Sequence, residues 1–550
     1  MASVVESRAC RFCYYSRDRV WNQIEATESI TRVPEASFTF WNVAVAIALV
    51  GTAVSGCART PSLPPSDYLQ VDINVTPTTL DPRYATDAMS GRIDELVYDS
   101  MVKFDRSGNP IGELAEGIKQ TTPTRLTFYL RRGVNFSDGR ELTARDVKST
   151  YDTVNDPAQH SMKRAMLAEL AATEIVDDYT IAMTTRRPYA PALEMATLPI
   201  VPYGAPPPGS NAQIAPIGTG PFRFAAYRRD EAIVLARNPA RPYQPGMARR
   251  IVLKVVPDAT VRALELVEGI CDFAENDGVQ RDLIPYLARH SELRIEQSPG
   301  NFVEYLAFNF RDSRLRDLRM RRAFAYAIDR EAIVHAMLRD TARVATGLLT
   351  PENWAYASDV TRYPYDPAAA RRLLEEAGYA PGDRRLRFVY KTTPEGRRLA
   401  EVIQAMLKRI GVTLEIHTNE WTTFYADLQR GNFAIAASQL AMAGPHEYSF
   451  FYDSRMAPPR GNNRGAYANP AMDALLERAD ATLDPVQRRT LCAEIQRLAA
   501  RDLSLLPLWW IDTMTVANRR LNGFTPYPDG SLRSLAAAAY TPVGRDAFSD

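Results

Sequence analysis

The chain has 550 residues, enough for more than one hydrophobic core, and its 46% hydrophobic and 24% charged content is ordinary globular usage. Lys and Arg number 66 against 65 Asp and Glu, so the net charge of +1 gives no reason to expect a nucleic-acid partner.

Residues 37–56 carry no charge, are rich in Ala and Val, and lead through Val54-Ser55-Gly56 to Cys57. The run is long enough to span a bilayer, so a plain transmembrane anchor is one reading. Small residues directly before a cysteine also resemble a lipobox. That resemblance implies an export segment over 1–57 and diacylation of the Cys57 thiol, and two acyl chains hold a protein stably at a membrane. Upstream, residues 1–36 are long for a charged leader and Arg32 is the one nearby positive charge, which points to a misassigned start. Cys10 and Cys13 form a lone CxxC, weak evidence for zinc without a second pair. Residues 58–67, ARTPSLPPSD, read as an extended Pro-rich tether.

Val71, Ile73 and Val75 then alternate as a strand, Ile93 to Met101 reads as a helix, and Arg106-Ser107-Gly108-Asn109 as a hairpin-like turn. Phe128 and Leu130 alternate with Thr127 and Tyr129 in a strand; Asp138-Gly139 turns the chain, and Thr143 with Asp146 forms a capping box for a helix. Ile217-Gly218-Thr219-Gly220-Pro221-Phe222 is no dinucleotide fingerprint, because Arg223 stands where a third glycine belongs; its glycines are structural. Tyr305 to Asn309 reads as a buried strand. Met320, Ala323, Phe324, Ala327 and Ile328 share one face of the next helix. Asp366-Pro367 is a cap followed by a first-turn proline, and strands at 387–390 and 411–416 flank a helix over 396–410. Strand–helix–strand alternation of this kind argues for an α/β lobe.

Several of these strings are more specific than their local structure. Residues 126–152, LTFYLRRGVNFSDGRELTARDVKSTYD, resemble the signature of the family 5 extracellular solute-binding proteins, the peptide, nickel and oligosaccharide receptors of bacterial ABC importers. The Gly-Thr-Gly-Pro turn, residues 315–338 around Tyr326-Ala327-Ile328-Asp329-Arg330 and residues 365–379 resemble the same family, so the likeness runs from about Leu80 to Gly530. It implies an α/β, two-lobed periplasmic-binding-protein-like fold of type II, with an extra subdomain in lobe one and a ligand cleft between hinged lobes. Lobe one is then expected at 68–299, lobe two at 300–506, and a return to lobe one at 507–550. The hinge crossings fall near Pro299-Gly300 and Leu506-Pro507. The implied partners are a peptide or small-molecule solute, the permease subunits of an ABC importer and, through the lipid, the outer face of a membrane. No cofactor or metal is implied, and the protein is expected to act as a monomer.

The same resemblance nominates site residues. The loop over 85–90 faces the ligand in the family and makes Asp87 a candidate; an N-cap before Ala88 is the plainer alternative. Trp421, in the intact Glu420-Trp421-Thr422-Thr423-Phe424, carries over as a pocket wall. Peptide-binding members follow it with D-x-A-x-x-x-W-x-x-D, whose last Asp pairs with the ligand ammonium. Here Ala434, Leu440 and Ala443 occupy the first Asp, the Trp and the last Asp. A buried ammonium without a carboxylate costs several kcal/mol, roughly. Glu447, beside His446 and Tyr448, is either the substitute or a solvated loop acid. Trp509 and Trp510 point to opposite faces of a return strand, one toward core and one toward the cleft; with Trp421 and Tyr448 they are the aromatics expected to stack on sugar faces or apolar groups of the ligand. Simple di- and tripeptides are therefore expected to bind weakly, and N-blocked peptides, oligosaccharides or another amphipathic solute better.

HExxH, GxSxG and Walker motifs are absent, and His160, His290, His335, His417 and His446 are scattered, which argues against an enzyme. Two functions remain: an import receptor, or a sensor or scaffold of the same fold that has lost transport. Cys271 and Cys492 read as two buried thiols, with a disulfide as the alternative.

Overall fold

Two long strands, Leu293–Phe308 and Leu505–Asn518, pair antiparallel and form the middle of an 11-stranded sheet. The structure is a computed structural model that describes residues 68–206, 216–244, 246–275, 278–380 and 382–540. The expectations for residues 1–67, Cys57 and the tether included, lie outside the described residues.

On one side of the long pair the sheet continues through Ile435–Ala441, Arg387–Thr392 and Thr413–Thr418; on the other through Phe273–Glu275, Tyr68–Ile73, Arg250–Val255, Ala232–Arg237 and Phe222–Arg228. The first group, with its helices, surrounds two cores on opposite sheet faces: one holds Phe308, Phe324, Phe388 and Trp509, the other Tyr305, Tyr448, Leu476 and Trp510. The second group packs on Leu69, Ile93, Phe222 and Leu253. The protein is thus two-lobed, with mixed α/β content in each half. A separate four-stranded antiparallel sheet, Ala115–Thr122, Arg125–Leu130, Thr180–Thr185 and Leu170–Asp177, packs with helix Ala144–Asn155 around Phe128, Phe136, Tyr151 and Leu198. That helix starts as its sequence dictates: the Thr143 amide donates to Asp146 Oδ2 at 2.8 Å, the reciprocal half of the capping box.

The long pair is interrupted twice, between Ser298 and Phe302 and between Glu304 and Tyr305. At the first, Gly300 lies so close to the Ile511 carbonyl that a Cβ there would overlap it. At the second, Glu304 faces Trp509 and Tyr305 faces Pro507, leaving Leu508 as the extra residue of a bulge. Leu508 and Trp509 consequently share one core and Trp510 enters the other.

The helix expected over Ile93 to Met101 is Ala88–Val97, and Tyr98 ends it with φ −121° and ψ 156°. Tertiary packing sets that end. The Gly220 amide donates to Val97 O at 2.9 Å, and Gly218 approaches the same carbonyl too closely for any side chain. Cys271 and Cys492 are both buried free thiols.

Candidate functional site

A cavity of about 780 Å³ lies where the lobes meet. Helix Ala88–Val97 brings Asp94 and Glu95 to it, and the turn after strand Val102–Phe104 brings Asp105 to Gly108. The C-terminal stretch contributes Tyr527, Asp529 and Arg533. From the other lobe come Asn353, Met442 and Ala443, with Asn301 at the crossing. The lobes touch at its edge, where Gly108 abuts the Ala443 carbonyl and Asn353 Nδ2 donates to the same oxygen at 3.2 Å.

The wall is polar and mostly internally paired. Asp99 accepts from Thr219 Oγ1 at 2.9 Å and pairs with Arg241; Glu113 meets Lys103 Nζ at 3.1 Å, and Asp529 meets Arg533 at 3.1 Å. Glu95 accepts from Ser531 Oγ, and burial pushes its carboxyl up to about 7 against the opposing Arg533 charge. Asp94 differs. It is 2% exposed, and neither oxygen has a hydrogen-bond partner among the described residues. Burial pushes its carboxyl well above the usual range, and the nearby Lys163 charge opposes the shift.

The residues nominated from sequence are placed elsewhere. Asp87 caps helix Ala88–Val97, accepting from the Ser90 amide at 2.8 Å and from the Ser90 and Thr78 hydroxyls, and does not line the cavity. Its charge is held by these donors, which outweigh burial and keep its pKa low. Trp421 is 61% exposed, stacks on Tyr425 with ring centroids 5.6 Å apart, and is also off the cavity. Glu447 accepts from the Ala443 amide at 2.9 Å, so it braces the backbone at the very position where the family acid is missing. Burial raises its pKa against the lowering effect of His446. Tyr448 is 1% exposed inside a core.

Both return-strand indoles are buried, correcting the expectation that one faces the cleft. Trp509 Nε1 donates to Glu304 Oε2 at 2.9 Å and Trp510 Nε1 to Gly347 O at 3.1 Å. The structure brings Ala443 to the cavity but none of the six candidate residues. Asp94 and Lys163, which do line it, were not singled out by sequence reasoning. The one available signal was an adjacent acid pair, Asp94-Glu95, inside the apolar frame of Ile93, Leu96 and Val97.

Across the lobe boundary, His446 Nδ1 meets Glu194 Oε1 at 2.7 Å and its ring stacks on Phe104 at 5.8 Å. Among the described residues no three His, Cys, Asp or Glu side chains cluster as a metal site, and no helix is long and apolar enough to cross a membrane.

Residues 109–459, more than half the chain, match the family model described as bacterial extracellular solute-binding proteins, family 5 Middle. The glutathione-binding protein GsiB of Salmonella choleraesuis is 28% identical over 88% of this chain and 96% of its own length. GsiB of Escherichia coli K12 is 26% identical over 82% and 90%. Among solved structures, NikA from Brucella suis in complex with Fe(III)-EDTA superposes with a TM-score of 0.78 at 24% identity, covering 86% of this chain and all (100%) of that one. The oligopeptide-binding protein AppA from Bacillus subtilis, in complex with a nonapeptide, gives 0.74 at 24% identity over 86% and 99%.

Proposed function

We propose, from the premise that this chain belongs to the bacterial extracellular solute-binding proteins of family 5, that it is the capture subunit of an ABC importer. It takes a peptide-like or other small solute into the cavity between its lobes and delivers it to a membrane permease. The observation that carries this reading is the interlobe cavity of about 780 Å³, a volume within the usual range for small-molecule sites. Its wall is rich in paired charges, which suits a polar solute better than an apolar one. The Salmonella and E. coli relatives, named as glutathione-binding proteins, point the same way: glutathione is small, charged and peptide-like. Lipid attachment at Cys57 would hold the receptor beside its permease on the outer face of the membrane.

Two measurements test the reading. Deletion of the gene is expected to abolish uptake of radiolabelled glutathione or of a defined peptide pool, whereas a sensor or scaffold that has lost transport leaves uptake unchanged. Scattering from the purified protein is expected to show compaction on saturation, by bending at the interrupted crossings of the long strand pair. An unchanged radius of gyration at saturation counts against capture by closure.

A further inference from the structure

Asp94 is the acid of the cavity wall that the fold leaves open. The other acids on the same wall are engaged: Asp99 with Arg241, Glu113 with Lys103, Asp529 with Arg533, Glu352 with Arg343, Glu95 with Ser531, and Asp105 with the backbone of its own turn. Neither oxygen of Asp94 has such a partner among the described residues, although the residue is 2% exposed. A buried acceptor left unmade costs about 1–3 kcal/mol, and more when it is charged, so a fold that keeps one in its binding cavity has left it for something else.

Two further groups on the wall are open in a complementary way. Lys163 follows Ser161, whose hydroxyl donates to Arg83 O at 2.6 Å and anchors this short turn of helix. Lys163 and Asp94 each feel the other's charge, yet no ion pair or hydrogen bond joins them among the described residues. From the crossing between lobes, Asn301 Oδ1 is a buried acceptor without a donor among the described residues. Among the described residues the cavity therefore holds a carboxyl group, an ammonium and an amide oxygen that are all without a partner.

We propose that the cavity recognises a zwitterionic solute, whose ammonium sits on Asp94 and whose carboxylate is drawn to Lys163. This rests on the receptor reading above and names its substrate class. Asp94 supplies from the first lobe the acid that the second lobe lacks at Ala443. Free-amine peptides and amino-acid-like conjugates thus take the place of the N-blocked solutes that the motif alone suggests.

The test is calorimetry on the purified full chain with glutathione, trialanine, N-acetyl-trialanine, trialanine amide and maltotriose. The wild type is expected to bind glutathione or trialanine more tightly than N-acetyl-trialanine. Asp94→Asn, which keeps the size and polarity of the side chain and is checked for folding by a melting curve, is expected to weaken the free-amine ligand about tenfold or more, as loss of a charge-assisted pair does. It should leave N-acetyl-trialanine unchanged. Lys163→Met is expected to weaken trialanine more than trialanine amide. Equal affinity of Asp94→Asn and wild type for the free-amine ligands overturns the proposal, as does preference of the wild type for the N-acetylated one. Binding of maltotriose alone overturns it too, while leaving the receptor function standing. If no probe binds and none compacts the protein, both readings fall.

Discussion

His446 Nδ1 lies 2.7 Å from Glu194 Oε1, and this pair ties the lobe that holds the small antiparallel sheet to the lobe that holds Ala443. Phe104 stacks on the imidazole from the first lobe, and the Ala190 amide donates to the Asp480 carbonyl at 2.6 Å alongside it. These contacts join the lobes beside Phe104 and Ala443, which line the cavity.

The first prediction follows from that pair. Burial by itself lowers the His446 pKa, but Glu194, with Glu447 behind it and against Arg488, outweighs burial and leaves the value raised above 6.5. A raised imidazole pKa stabilises the joined lobes fully below about 6.5, and the contribution is lost as pH climbs through the shifted value. The unliganded protein is expected to be more compact at pH 6 than at pH 8.5 by small-angle scattering. His446→Gln should flatten that dependence; an identical pH profile in the variant rules the pair out as its source.

A second prediction concerns Glu304, which accepts from the Trp509 indole while burial pushes its carboxyl up to about 7. The folded state favours the protonated acid, so its stabilising contribution is present below about 4.5 and lost as pH rises through about 7. Glu304→Gln keeps an acceptor for the indole and removes the buried charge. It should raise stability at pH 8 by about 3 kcal/mol at most, and leave it nearly unchanged at pH 4.5. Denaturant titration at the two pH values measures this, and a loss of stability at pH 8 would refute the assignment.

Gly300 gives a third. Its missing side chain lets the long strand pass the Ile511 carbonyl at the first interruption of the ladder. Gly300→Ala is expected to cost on the order of 2 kcal/mol through overpacking and to reduce closure on solute. Chemical denaturation reports the first effect and scattering with ligand the second. Wild-type values in both would show that the crossing tolerates a side chain.

The fourth tests attachment. On the proposed lipid attachment, Cys57→Ala should move the protein from the membrane fraction to the soluble or secreted one, because it removes the thiol that would carry the acyl chains. Retention of the variant in the membrane fraction favours a transmembrane anchor instead.

The sequence by itself determined the family, the α/β class and the start of the helix at Thr143, because these are written in local strings whose physics needs only neighbours three or four residues away. Even the structural role of the Gly218 turn was legible, although what it accommodates, the end of a helix some 120 residues earlier in the chain, roughly, was not. Only the tertiary structure decided which residues line the interlobe cavity. Asp87 looked like a site residue and became a cap once Thr78 and Ser90 closed on it. Trp509 and Trp510 alternate as a strand requires, yet a core covers each face of the sheet there, so both are buried. Asp94 is the converse case. A carboxyl group is open or satisfied according to what the rest of the chain brings to it, and here Arg241 and Ser531 arrive from distant segments to engage Asp99 and Glu95 and leave Asp94 without a partner among the described residues. Hydrogen-bond satisfaction is a property of the packed molecule and not of any stretch of its sequence.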